Sequence, residues 1–211
     1  LIWLCNPNNP TGAYFNAKDL DVFLEKAPEH ILIALDEAYI DFSASDSPRS
    51  EELIHRHKNV ISLRTFSKVY ALASLRIAYA LADREIITLL SKIRQPINTN
   101  AAAQAAALAA LSDQAHYRFV IEENEKGKQF YYRELKRLGL PYIPTQCNFI
   151  MFDTKTDAEK VVAAYLKQGI LIRGGNEFGK PSWVRITIGT EPENRKSIEA
   201  LESALTSKAF A

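Results

Sequence analysis

The chain has little that would tie it to a membrane, a metal or a nucleic acid. No apolar run approaches the roughly 18 residues a membrane span needs, and no basic-then-apolar leader opens it. The two cysteines, Cys5 and Cys147, lie far apart and form no CxxC or Cys/His pattern, so neither a disulfide framework nor a structural metal is expected. Both read as reduced, partly buried thiols of a cytoplasmic protein. With 26 Lys and Arg against 25 Asp and Glu, the formal charge is +1, and no basic stripe offers itself to nucleic acid. No GxGxxG follows a strand, which weakens a dinucleotide-binding reading. Repeats and low-complexity linkers are absent as well. No Met starts the chain either: it opens Leu-Ile-Trp-Leu-Cys, inside an apolar strand-like run, and a fragment is expected on that ground.

What is present is an ordinary globular composition, 47% hydrophobic and 24% charged over 211 residues, enough for one large domain or two small ones. The first half alternates short apolar runs with helix-like stretches, the pattern of βα units on a mostly parallel sheet. Strands are expected at 1–4, 31–35, 60–63 and 77–82. Asn16 caps a helix to about 27, Ser47-Pro48 opens one to about 57 with Pro at the first helical position, and Asp83 caps another to about 93. After Pro96 come an Ala-rich helix over 99–111 and a long one over 114–138 that Gly139 and Pro141 stop. An α+β set follows: strands at 149–152, 170–173 and 184–188, and a helix over 156–167 with Thr156 and Glu159 as a capping box. A last helix runs over 191–205, opened by Thr190-x-x-Glu193. The texture changes near 95–115, which divides the chain into 1–105, the remainder of a large α/β domain, and 106–211, a small α+β domain with the long connecting helix.

Four clusters fall at strand ends, where open α/β sheets bind ligands. The loop 6–12 (NPNNPTG) is held rigid by two prolines and a glycine and offers amide groups, though such pairs are also plain turn chemistry. Asp36, after an Ile-Leu-Ala strand, is a carboxylate that needs a partner. It either caps a turn, pairs with an arginine, or holds a protonated heterocycle with Tyr39 supplying a hydroxyl. Thr65-Phe66-Ser67-Lys68 sets hydroxyls and an amine at the next strand end, with Arg76 eight residues on. Hydroxyls and a guanidinium suit a phosphate, and an amine beside it can form a Schiff base. Arg173 and Arg185 stand on apolar C-terminal strands and each calls for an anion, structural or substrate.

Taken in order, residues 6–12 (NPNNPTG), 36–42 (DEAYIDF), 64–68 (RTFSK), 72–79 (LASLRIAY) and 184–190 (VRITIGT) resemble fold-type I pyridoxal-phosphate enzymes, the class I and II aminotransferases, over nearly the whole chain. Within them the pattern is most similar to the histidinol-phosphate aminotransferases. The resemblance implies pyridoxal 5'-phosphate as cofactor, with Lys68 forming the Schiff base and moving a proton. It implies Asp36 on the pyridine nitrogen, Asn9 and Tyr39 on the phenolic oxygen, and Thr65, Ser67 and Arg76 on the phosphate. Arg185 would grip the substrate α-carboxylate and Arg173 the substrate phosphate. The implied substrates are histidinol phosphate and glutamate or 2-oxoglutarate in histidine biosynthesis, handled by a homodimer. Other fold-type I chemistry, such as a threonine-phosphate decarboxylase or an aromatic aminotransferase, shares these residues, and an inactive folded fragment is the third reading.

Two departures stand out. The family pattern after the lysine, SKxYGLAGLRxGYG, carries glycines where this chain has Ala71, Ser74, Ala78 and Ala80, and the effect depends on whether φ is positive there. The family's N-terminal part, with a phosphate-binding glycine loop, a ring-stacking aromatic and a gating segment, has no counterpart here, nor does the tyrosine a partner subunit donates. The chain is therefore expected to carry only part of a site.

Overall fold

A computed structural model describes residues 1–206; residues 207–211 of the expected C-terminal domain lie outside the described residues. The chain divides into two compact units. One comprises Leu1–Asn9 with Tyr14–Val120, the other Pro10–Ala13 with Ile121 onward.

The first unit holds a four-stranded sheet in the order β1-β2-β3-β4. Strands β1 (Ile2–Cys5), β2 (Ile33–Asp36) and β3 (Val60–Thr65) are parallel, and β4 (Ala78–Ala82) runs antiparallel to β3. The crossover helices are α1 (Ala17–Lys26) and α2 (Ser50–Arg56). Asn16 starts α1 as expected, its side chain accepting from Asp19 N–H, and Leu20 and Leu24, one turn apart, bury against Ile33, Leu35, Leu53 and Val60. Ile33, Ala34 and Leu35 are all buried, the continuous apolar run of a strand covered on both faces. A second small core forms from Phe66, Ile77, Ala103 and Ala107, where α4 (Ala101–Ser112) presents a methyl face. Helix α3 (Arg84–Ile93) is capped by Asp83 as expected and buries none of its residues.

The second unit is a four-stranded antiparallel sheet, β5 (Tyr142–Ile143), β6 (Phe149–Asp153), β8 (Trp183–Thr187) and β7 (Arg173–Gly174), in the order β5-β6-β8-β7. Ile150, Phe152, Val184 and Ile186 share a core with residues of three helices. These are the second half of α5 (Gln114–Arg137), α6 (Ala158–Lys167) and α7 (Glu191–Thr206). The buried Tyr165 hydroxyl donates to Ser197 O at 2.8 Å, so its polar tip is satisfied inside that core. Gly139 ends α5 at φ 65, with Leu140 N–H closing onto Leu135 O, as the sequence predicts. Gly127 on α5 is required by space: a Cβ there would stand 2.3 Å from the Ile188 side chain.

Three expectations need correction. Helix α2 begins at Ser50 rather than at Ser47-Pro48, because Arg49 is extended and the buried Ser50 hydroxyl is bonded to the Glu37 carboxylate, which fixes the first turn. Asp157, not Thr156, caps α6 by accepting from Glu159 N–H; the Thr156 carbonyl instead accepts from the Thr154 hydroxyl. Residues 170–172 form no strand: pairing with β8 starts only at Arg173, and Leu171 is 85% exposed. Strand β5 is an addition, too short to leave a period in the sequence. Helix α7 does open on Thr190 and Glu193, the carboxylate accepting from Thr190 N–H.

Candidate active site

Because β1, β2 and β3 are parallel, their carboxyl ends lie at one edge of the sheet, and the candidate residues of the first unit follow them directly. Cys5, Asp36 and Leu63 are aligned across the three strands, which places Asp36 at the middle of that edge with Thr65 two residues beyond Leu63. Aligned residues of parallel strands share a face, so Cys5, Asp36, Leu63 and Thr65 point to the same side.

Asp36 accepts from Ala38 N–H at 3.1 Å, the turn-capping alternative, and leaves its second oxygen to other donors. The chain then turns through a short 3-10 helix, Ile40–Phe42, that buries Tyr39 to 6% exposure. Above the Tyr39 ring, 5.0 Å from its centroid, stands Lys68 Nζ. Among the described residues no carboxylate lies within ion-pair distance of that amine.

Lys68 is held by a folded-back loop between β3 and β4. Phe66 N–H donates to Ile77 O, Leu72 N–H to Phe66 O, and Ala71 N–H to Lys68 O. The Thr65 hydroxyl donates to Ser67 Oγ at 2.9 Å and accepts from Ser67 N–H at 3.0 Å, so the two hydroxyls sit together just before the lysine. Arg76 is left-handed at φ 53 and exposed, and its guanidinium donates to Ala73 O at 2.8 Å. The loop is therefore shaped, with the arginine turned onto it. Of the four positions where glycines were anticipated, only Ala71 has a positive φ, at 57; Ala78 and Ala80 lie within β4.

The loop after β1 is fastened by Asn6, 2% exposed, whose side chain donates to Phe15 O and accepts from Phe15 N–H. Asn9 lies inside that closed loop. Burial raises the Cys5 thiol above its ordinary value, a backbone bond at Asn9 pulls it partly back, and the Asp36 charge adds to the rise. That is an inert thiol.

In the second unit β7 and β8 put Arg173 directly opposite Arg185. Arg173 is exposed and pairs with Glu177 at 2.5 Å, and the Arg185 guanidinium lies 4.8 Å over the Phe149 ring. Like charges opposed across a ladder repel, and here Glu177 already meets the Arg173 charge. The Arg173–Glu177 pair is the structural partner that a sequence reading also allows.

Two groups went unnoticed in the sequence. Glu37, 2% exposed, accepts from the Ser50 hydroxyl, from Ser62 Oγ at 2.6 Å and from Arg64 Nε at 2.8 Å, while Arg64 also reaches Glu51 at 2.6 Å. The arginine that a buried carboxylate calls for is present, but it serves Glu37 and not Asp36. Burial works against the Arg64 charge, yet Glu37 and then Glu51 more than offset it and hold the guanidinium well above its ordinary value. Strand alternation could have found this: Ser62 and Arg64 share parity on β3, opposite in face to Leu63 and Thr65. The second group is Asp41, whose carboxylate accepts from the Tyr117 hydroxyl at 3.0 Å. Burial raises Asp41, and the Tyr117 bond only partly counters it. Among the described residues no group of three or more His, Cys, Asp or Glu could hold a metal ion, and no helix is long and apolar enough to cross a membrane.

Comparison with known proteins bears on this arrangement. Residues 1–201 match the family model of aminotransferase class I and II. Over 209 residues the chain is 44% identical to a histidinol-phosphate aminotransferase of Geobacillus sp. (strain WCH70), covering 99% of this chain and 57% of that protein. The structure of histidinol-phosphate aminotransferase from Sinorhizobium meliloti in complex with pyridoxal-5'-phosphate superposes with a TM-score of 0.89 at 31% identity, covering 96% of this chain and 56% of that one. L-threonine-O-3-phosphate decarboxylase from Porphyromonas gingivalis superposes with a TM-score of 0.87 at 28% identity, covering 97% of this chain and 64% of that one. The chain thus spans a little over half the length of the relatives it matches.

Proposed function

The chain belongs to the class I and II aminotransferase family, and from that premise we propose that it is part of a pyridoxal-phosphate-dependent histidinol-phosphate aminotransferase. The reaction would move the amino group of histidinol phosphate to 2-oxoglutarate, giving imidazole-acetol phosphate and glutamate, a step of histidine biosynthesis. The observation that carries the reading is the edge of the parallel sheet. A carboxylate, a hydroxyl pair and an amine with no carboxylate partner among the described residues occupy adjacent strand ends there.

That donor set fits the cofactor. Asp36 would hold the pyridine nitrogen and keep it protonated, Asn9 and Tyr39 the phenolic oxygen, Thr65, Ser67 and Arg76 the phosphate, and Lys68 the aldehyde carbon. Bound there, pyridoxal phosphate would supply an acceptor for the electron pair that the substrate carbon releases. Lys68 Nζ would carry the proton to and from that carbon, from its position over the Tyr39 ring. Arg185 would take the α-carboxylate of the amino donor as a planar fork, and Arg173, opposite it in register, the substrate phosphate in exchange for Glu177. Arg76 gives only Nη1 to Ala73 O, which leaves its other guanidinium N–H groups for a phosphate. A homodimer in the cytoplasm completes the reading, on the family likeness alone.

The likeness to a threonine-phosphate decarboxylase favours a second reading, because two opposed arginines suit any phosphorylated amino substrate. The two separate by product. With pyridoxal phosphate and 2-oxoglutarate supplied to the enzyme of which this chain is part, histidinol phosphate is expected to yield glutamate. Release of carbon dioxide from O-phosphothreonine, with no glutamate formed from histidinol phosphate, would replace transamination by decarboxylation.

A further inference from the structure

We propose that Glu37 is a positioning residue of this site: its carboxylate, bound to Ser50, Ser62 and Arg64, sets where the ends of β2 and β3 present Asp36 and the 65–68 segment. The proposal rests on the cofactor reading for what those ends serve, but the placement it describes is a property of the chain alone.

The argument starts from alternation. Asp36 and Thr65 face one side of the sheet edge, whereas Ser62 and Arg64 face the other, and Glu37 reaches the latter pair. One peptide therefore separates a carboxylate offered to a ligand from a carboxylate spent inside the protein. Glu37 N–H donates to Leu63 O, and its side chain meets β3 on both sides of that point. The Ser50 hydroxyl adds the first turn of α2. Three elements thus converge on one buried anion immediately behind the edge. Charge-assisted bonds of this kind are short and directional, so they fix position as well as supply energy. A buried ion pair is weak evidence for stability, which leaves geometry as the reason that stands out for placing one here. Arg64 transmits the constraint forward, since the next four residues are Thr65, Phe66, Ser67 and Lys68.

Cys5 offers a native reporter. It is aligned with Asp36 on the neighbouring strand and half-buried, while Cys147 is fully buried in the other unit. The experiment uses the full chain, Glu37→Gln, and the double variant Glu37→Met with Arg64→Met, which replaces the pair by apolar groups. The rate of Cys5 with a small aromatic disulfide is measured well below the urea midpoint of the first unit, so that opening of that unit as a whole does not contribute, with Cys147 reporting opening of the second. In parallel, the Kd for pyridoxal phosphate is read from absorbance and from borohydride trapping at Lys68. Glu37→Gln is expected to speed Cys5 about tenfold without Cys147 following, and to weaken the cofactor by a similar factor, the equivalent of about 1.4 kcal/mol in a local equilibrium. The double variant is expected to keep both changes even where it regains the urea midpoint, and it carries the test if Glu37→Gln does not fold. A Cys5 rate unchanged in the folded variants, or rising only with Cys147, overturns the proposal. So does a double variant that restores both Cys5 protection and cofactor affinity, because the pair would then be filler. If the unmodified chain traps no cofactor while Cys5 behaves as expected, the cofactor reading falls and the positioning role stands.

Discussion

Replacing alanine by glycine at two positions a few residues apart is expected to act with opposite signs. Ala71 closes the turn that begins at Lys68, its N–H bonded to Lys68 O, and holds φ 57. An L-residue in that left-handed conformation carries about 1–2 kcal/mol of strain, which glycine does not. Glycine in turn gives the unfolded chain extra freedom, worth about 0.5–1 kcal/mol against the fold. Ala71→Gly should therefore stabilise the chain by about 0.5–1 kcal/mol as the difference of those terms. Ala80 pairs with Leu63 in the interior of β4 and shows no positive φ. There only the glycine penalty operates, and Ala80→Gly should cost about 0.5–1 kcal/mol. Urea denaturation followed by circular dichroism reads both, as midpoints moving apart at unchanged slope. Midpoints that move in the same direction would refute the claim that Ala71 is the strained position among those where this chain departs from the glycine pattern.

Two further perturbations test other parts of the account. Gly12 sits at φ +78 with its missing Cβ only 2.1 Å from Thr145 Oγ1, so Gly12→Ala should cost about 2–4 kcal/mol from left-handed strain plus overpacking, read by the same denaturation. Asp41 is raised by burial, with the Tyr117 hydroxyl countering in part, so the folded state holds its proton more tightly than the unfolded chain. Its contribution to stability is present at low pH and lost as pH rises through the raised value, opposite in sign to Glu51, Glu125 and Glu193, which are all lowered. Asp41→Asn removes the opposing group, and stability measured from about pH 3 to pH 7 should then climb more steeply with pH than in the unmodified chain. An unaltered slope would show that Asp41 titrates alike in both states.

Much of this molecule is written locally. Asn16, Asp83, Gly139 and Thr190 mark helix ends by the hydrogen bonds their own chemistry makes, and the run 33–35 declares a strand buried on both faces. The candidate site was legible for the same reason, since Asp36 and the 65–68 segment follow recognisable strands and the fold only has to align them. What escaped depends on partners far along the chain. Helix α2 starts at Ser50 because a carboxylate thirteen residues earlier takes its hydroxyl, a bond that outweighs the Ser47-Pro48 signal. Residues 170–172 look like a strand by composition, but β8 offers them no pairing before Arg173. Asp36 and Glu37 are neighbours in sequence, but alternation sends the two carboxylates to opposite faces, and only one of them meets Arg64.

The most direct test of the central claim is where pyridoxal phosphate attaches. The chain is mixed with the cofactor, reduced with borohydride, digested and mapped by mass spectrometry, beside Lys68→Ala. The account predicts one dominant reduced adduct, on Lys68, that disappears in the variant while folding is retained. An adduct spread over exposed lysines, or one that survives Lys68→Ala, would contradict it.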